Sequence, residues 1–254
     1  MLLIQQTYRS AEPRRQAELD EALAINQDSG LFAEIHGIDS GSQRLTFADL
    51  FRHAHGVAAG KVCVVANSDI SFDDSLRGAA ELLRPNMLVA LSRWNDGTAP
   101  VMGGFLDPLG DGALYSHSQD VWMFLGGALP DFRADFQLGI LACETRLAYE
   151  AAAAGVVVVD PALSIRARHH HATNVRSYTL KDVYRGPRLF PRLTAAAAVE
   201  ARACVVDRRL KPRKRIVMLD GSAAGFADQL QHRSAPWRFR DVRFRSPFYV
   251  RRSA

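Results

Sequence analysis

The sequence predicts an α/β fold: a mixed, mostly parallel sheet with helices on both faces, followed by a basic C-terminal extension. Three observations predict it. The N-terminal segment reads strand, helix, strand, which implies a right-handed crossover between parallel neighbours. Residues 61–66 and 156–159 are continuous apolar runs of strand length, the pattern of strands covered on both faces. Charge is unevenly divided: residues 201–254 carry 14 Lys/Arg against 4 Asp/Glu, although the 254-residue chain nets only +5.

Residues 2–9 form the first predicted strand. Residues 11–26 follow with apolar side chains at helical spacing (Ala17, Leu19, Leu23, Ile25), and Pro13 falls in the first turn, where its missing N–H is harmless. Asp28-Ser29-Gly30 closes that helix, and 31–38 is the second strand. A helix is expected over 46–55, with Thr46 as N-cap and Gly56 as its stop. Strands follow at 61–66, 87–91 and 121–124, the last beyond a Gly/Pro/Asp-rich loop at 103–112. Residues 143–154 read as a helix ending at Gly155, and 156–159 as a buried strand stopped by Asp160-Pro161. An alanine-rich helix is expected over 195–203. The domain organisation is then 1–200 as the α/β domain and 201–254 as the extension.

No stretch approaches about 18 uninterrupted apolar residues, so no transmembrane helix is expected. The N-terminus lacks a basic segment followed by an apolar run and does not read as a signal peptide. Three dispersed cysteines suit a reducing cytoplasm. The pI of 9.4 belongs to the tail, because the rest of the chain is net acidic, so no nucleic-acid partner is expected.

Three groups of residues carry chemistry. Asn67-Ser68-Asp69 ends the 61–66 strand, at the C-terminal edge where open α/β sheets bind ligands. A carboxylate there can hold Mg²⁺ or Mn²⁺, hard cations often shared with phosphates; the same residues also suit a plain turn. Glu144 opens the 143–154 helix. It could cap that helix, or take a proton from a substrate hydroxyl as a general base. Arg166-Ala-Arg-His-His-His171 follows the 156–159 strand. Alternate residues of an extended segment share a face, so His169 and His171 can point together, beside a carboxylate or simply as a surface basic cluster. Two further strand ends, Arg93-Trp94 and Asp120, would reach the same rim, although the indole also suits the core and Arg93 a solvated ion pair with Asp96.

In that order these segments resemble the GT-A (Rossmann-like) fold glycosyltransferases, especially a family-2-like branch found in bacterial polysaccharide clusters and large algal viruses. The likeness is carried by Val64-Val-Ala-Asn-Ser-Asp-Ile-Ser-Phe-Asp73, Ala90-Leu-Ser-Arg-Trp94, Ser118-Gln-Asp-Val-Trp-Met-Phe124, Leu138-Gly-Ile-Leu-Ala-Cys-Glu-Thr-Arg-Leu-Ala-Tyr149 and Ser164-Ile-Arg-Ala-Arg-His-His-His-Ala-Thr-Asn174. It covers residues 1–190 and implies transfer of a sugar from a nucleotide diphosphate donor to a glycan or lipid-linked acceptor hydroxyl, with inversion. Asp69 matches the last carboxylate of the family's D-x-D-like metal motif, with Asn67 where its first carboxylate stands, and His169 or His171 matches a further ligand to Mn²⁺ or Mg²⁺. Glu144 matches the base. Asp120 is implied as a hydrogen-bond partner of the donor sugar or acceptor, and Gln5, Tyr8, Arg44, Asn67, Arg93 and Arg146 as donor-binding residues. The extension, with arginines among Trp237, Phe239, Phe244, Phe248 and Tyr249, lies outside the resemblance. It could rest on an anionic membrane face, or pack its rings on the main domain. A non-catalytic nucleotide- or sugar-binding module, or a nucleic-acid binder working through the tail, are the alternative readings.

Overall fold

A computed structural model describes residues 1–41, 43–95, 99–100, 114–116, 118–173, 175, 179, 181–199, 202–207 and 215–220. In chain order the elements are β1 (Leu2–Thr7), α1 (Pro13–Asp28), β2 (Glu34–Asp39), α2 (Phe47–Val57), β3 (Val62–Ala66), β4 (Ile70–Phe72), α3 (Leu76–Leu82), β5 (Met87–Asn95), β6 (Ala99–Pro100), β7 (Gln119–Leu125), α4 (Cys143–Ala153), β8 (Val157–Val159), β9 (Ala167–His169), β10 (Arg188–Pro191), a 3₁₀ turn (Ala196–Ala198), β11 (Arg202–Asp207) and β12 (Arg215–Asp220).

The main sheet runs β2-β1-β3-β7-β5-β9-β4, with β6 and β8 also paired to β5. It is α/β and mixed, as expected, but not mostly parallel. β1 is parallel to β2 and β3, and β5 to β8 and β9, whereas β7 runs antiparallel to both β3 and β5, as do β6 to β5 and β4 to β9. The reason lies in the connections. A parallel neighbour needs a crossover over one sheet face, usually a helix, as α1 supplies between β1 and β2, whereas antiparallel neighbours do not.

Strand alternation divides the core into two. On one face Trp122 and Phe124 of β7 pack with Phe47, Leu50 and Phe51 of α2 and with Leu147 and Ala151 of α4. On the other, Val121 and Met123 meet Leu76 and Ala79 of α3 and Ile165. The Phe47 and Trp122 rings stand edge to face at 4.4 Å, a geometry that adds about 1 kcal/mol to their burial. α2 begins with a capping box: Asp49 N donates to Thr46 Oγ1 at 3.2 Å, and Thr46 N donates to the Asp49 carboxylate at 2.9 Å.

Of the apolar positions expected to mark α1, Leu19 is buried and Leu23 partly buried, but the inward stripe also takes in polar residues. Its buried residues are Arg15, Leu19, Ala22 and Asn26, an unbroken helical stripe, while Ala17 and Ile25 are exposed. Asn26 closes the edge of β4: its Nδ2 donates to Ile70 O at 2.8 Å and its Oδ1 accepts from Phe72 N at 3.1 Å. A sheet edge has unpaired backbone groups, and the amide satisfies two of them.

The alanine-rich 195–203 segment is not a helix. Among its described residues it holds the 3₁₀ turn and the first two residues of β11, which is drawn into an antiparallel ladder between β10 and β12. That ladder spans the boundary expected at residue 200. The 103–112 loop and the aromatic segment from Trp237 lie outside the described residues. No helix among the described residues is long and apolar enough to cross a membrane.

Candidate metal and active site

β3 leaves the sheet at Ala66, and the chain turns at once. Ile70 N donates to Asn67 O at 3.2 Å, so Asn67–Ile70 is a tight turn as well as a strand end. The turn leaves Asp69 7% exposed, with its carboxylate facing the segment after β9. Antiparallel pairing of β4 with β9 aligns Ile70 with His169, and His170 N donates to Asp69 O at 2.8 Å. With the backbone extended there, His169 and His171 share a face and stack, their ring centroids 5.1 Å apart and nearly parallel.

Both imidazoles approach one oxygen. His169 Nε2 lies 3.2 Å and His171 Nδ1 3.6 Å from Asp69 Oδ2. One ligand atom from each of Asp69, His169 and His171 lies within 4.8 Å of the other two. Metal–ligand bonds of about 2.1 Å at tetrahedral or octahedral angles separate neighbouring ligand atoms by about 3.0–3.5 Å, so the spacing fits a cation. His169 Nδ1 lies 3.3 Å from Asn95 Oδ1. His171 Nδ1 is buried with no hydrogen-bond partner. One carboxylate and two imidazoles at this spacing form a candidate cation site.

Arg15, on the buried stripe of α1, already supplies one positive charge. Its Nη2 is 2.5 Å from Asp69 Oδ2, and its Nη1 reaches Glu18 at 2.8 Å and His170 O at 2.7 Å. Burial by itself would raise the Asp69 pKa. Contacts from His169 and His171 and the Arg15 charge outweigh it and hold the carboxyl well below the usual carboxylate range.

The second cluster belongs to β5, β7 and α4. Leu91 pairs with Val121 but Ser92 with Gln119, so Asp120 is the extra residue of a β-bulge, a device that re-aims a side chain. Its carboxylate accepts from Arg93 Nη1 at 2.8 Å and from Asn67 Nδ2 at 2.7 Å. The Arg93 pKa is raised, first by Asp120 and also by the fields of Glu144 and Asp69, so one guanidinium links the two clusters. Glu144 lies in the first turn of α4, after Ala142 in a left-handed conformation at φ 71°, and Ala142 rather than Glu144 is the N-cap. Burial, then the Asp120 charge, pushes the Glu144 carboxyl up to about 8 in spite of Arg93. A helix N-terminus normally favours the ionised acid, so bland capping does not account for Glu144. A carboxyl tuned close to neutral pH is suited to proton transfer.

Other expected site residues have structural partners. Gln5 is buried and its amide donates to Asn67 O at 2.9 Å, tying β1 to the turn. Arg44 donates to Leu138 O at 2.8 Å, bracing the approach to α4. Arg146 does not join the rim. It is buried, bonded to Pro187 O and Glu150, and lies over the rings of Phe136 and Tyr149. The helix turns it away from Glu144 because residues two apart do not share a face. Tyr8 is half-exposed beyond β1 and adds to the field around Arg15. Trp94 is core, with Nε1 donating to Ala162 O at 2.8 Å, and Arg93 pairs with Asp120.

Sequence reasoning missed three groups. Arg15 could have been found from its place on the Leu19–Ala22–Asn26 stripe. Asp160, fully buried, accepts from Ser92 N at 3.1 Å, Ser92 Oγ at 2.5 Å and Gln119 Nε2 at 3.4 Å, and burial raises its carboxyl to about 6. Ser71 Oγ lies 2.8 Å from His170 Nε2, with Glu21 3.6 Å from Nδ1. That is a Ser-His-acid order, but Ser71 has no exposed surface from which to attack a substrate, so the contact anchors His170.

Comparison of the chain with protein-family models, with curated proteins and with solved structures returns no match.

Proposed function

We propose that the protein is a metal-dependent, inverting glycosyltransferase that moves a sugar from a nucleotide diphosphate donor to a glycan or lipid-linked acceptor hydroxyl. The observation that carries the reading is the convergence of Asp69, His169 and His171 on one oxygen, joined through Arg93 to an acid whose pKa is raised. Asp69 Oδ2, His169 Nε2 and His171 Nδ1 would hold the cation. Two imidazoles and one carboxylate suit Mn²⁺ better than Mg²⁺, which prefers oxygen ligands. When bound, the cation would neutralise charge developing on the diphosphate leaving group.

The remaining work falls to side chains of the chain itself. Glu144 takes the proton of the acceptor hydroxyl as that oxygen attacks the anomeric carbon from the face opposite the leaving group. Arg93 steadies Asp120 and feels the charges of Glu144 and Asp69, so it can bind donor phosphate or sugar oxygens at this rim. Asp120, held at the bulge, accepts hydrogen bonds from sugar hydroxyls. A cytoplasmic location, with the extension at the inner membrane face, fits a lipid-linked acceptor.

The test is a thermal-shift screen of nucleoside diphosphates with and without Mn²⁺. A diphosphate at ~100-fold excess over its Kd stabilises the fold by about 2.7 kcal/mol, and the gain should need the metal. No response to any nucleotide, with or without metal, would sink the reading. Donor hydrolysis or transfer lost in Glu144→Gln, with diphosphate binding kept, separates an enzyme from a binding module.

A further inference from the structure

We propose that Arg15 is the resident counter-cation of the Asp69–His169–His171 cluster and sets how tightly that cluster takes a divalent ion. The inference rests on the metal reading above and concerns what controls the site. Three groups compete for one atom: Asp69 Oδ2 receives Arg15 Nη2 at 2.5 Å, His169 Nε2 at 3.2 Å and His171 Nδ1 at 3.6 Å. The guanidinium is not a loose surface group. It is 5% exposed, and its Nη1 is pinned by Glu18 Oε2 and His170 O. Glu18 is held in turn by Thr173 N at 2.8 Å and Thr173 Oγ1 at 2.9 Å, so Arg15 cannot withdraw without loosening the segment that carries both histidines.

The electrostatic consequence follows from this geometry. An ion bonded to Oδ2 would sit roughly 4 Å from the guanidinium charge, where like charges in a partly buried site repel strongly. Without a metal, the same guanidinium saves Asp69 from being a buried, unpaired anion. Arg15 therefore stabilises the metal-free fold and weakens metal binding, two effects of opposite sign. An ordinary structural ion pair predicts otherwise: removing it would disorder Asp69 and lower stability and metal affinity together.

The experiment titrates Mn²⁺, and separately Zn²⁺, into the full chain and its Arg15→Gln and Arg15→Lys variants at one pH by calorimetry. Thermal melts are recorded with and without metal. Arg15→Gln should bind metal at least tenfold more tightly than the parent, melt lower without metal, and gain more on metal addition. Arg15→Lys, which keeps the charge, should stay within a few-fold of the parent. Equal or weaker binding by Arg15→Gln, with the parent binding, would overturn the inference and leave the metal site standing. If none of the three chains binds either ion, the metal reading fails and this inference fails with it. Should Arg15→Gln be unfolded without metal, saturating Zn²⁺ or Mn²⁺ should restore its circular dichroism. A chain that metal does not restore, beside a parent that binds metal, also overturns the proposal.

Discussion

Replacing Glu144 by Gln keeps the side chain's shape and removes only its ionisation, so its effect on stability should depend on pH. In the fold the carboxyl stays protonated up to about 8, whereas its ordinary value is 4.5. Folding therefore takes up a proton between these values, and stability falls as pH rises through that window. At 1.36 kcal/mol for each pKa unit the full displacement is worth about 5 kcal/mol, a ceiling, since Glu144 is partly exposed and water screens part of it. We take about 2 kcal/mol as the relief in Glu144→Gln above pH 8, or about 4–8 °C in melting temperature for a chain of this size. Calorimetric melts of parent and variant at pH 4 and pH 9 measure it. The variant should match the parent at pH 4 and melt higher at pH 9. A difference of the same size at both pH values would refute the electrostatic argument, leaving only a packing effect.

Four further outcomes test separate parts of the structure. His169→Ala and His171→Ala should each weaken Mn²⁺ binding by at least tenfold in calorimetric titration while leaving far-UV circular dichroism unchanged, because the β4–β9 pairing is made by backbone groups. Arg93→Gln removes the charge that holds Glu144 down, so the rising limb of any transfer activity should move to higher pH in a pH–rate profile. Asn26→Ala strands Ile70 O and Phe72 N at the edge of β4 and should cost about 1–3 kcal/mol in urea unfolding. Gly126→Ala would place a methyl 1.8 Å from Ala58 O, a backbone atom, and should cost about 3 kcal/mol, the upper end for overpacking, by the same measurement.

Local signals made much of the framework legible. Thr46 announced its helix through hydrogen bonds made within one turn, and the apolar runs of β3 and β8 announced burial on both faces. The spacing of His169 and His171 was likewise readable, since period two follows from extended backbone alone. The 195–203 segment was misread because even alanine's helix propensity, the highest of any residue, is a small term that tertiary context overrides, here by pairing of Arg202–Asp207 with two neighbouring strands. The inward stripe of α1 was only partly legible, through Leu19, because it also contains Arg15 and Asn26, polar residues whose burial makes sense only beside Asp69 and the β4 edge.

The sequence by itself therefore determined that a carboxylate ends a buried strand at Asp69, that an acid opens α4, and that two histidines share a face. Each is a property of neighbours in the chain. Only the tertiary structure decided which oxygen the histidines meet, that Arg15 reaches it first, and that Asp120 and Arg93 connect it to Glu144. Those contacts join residues as far apart in the chain as Asp69 and His171. They depend on strand order, a bulge at Asp120 and the docking of α1, none of which a local pattern encodes. The elevated pKa of Glu144 is of the same kind, because it comes from the groups that surround the carboxyl and not from its place at the start of a helix.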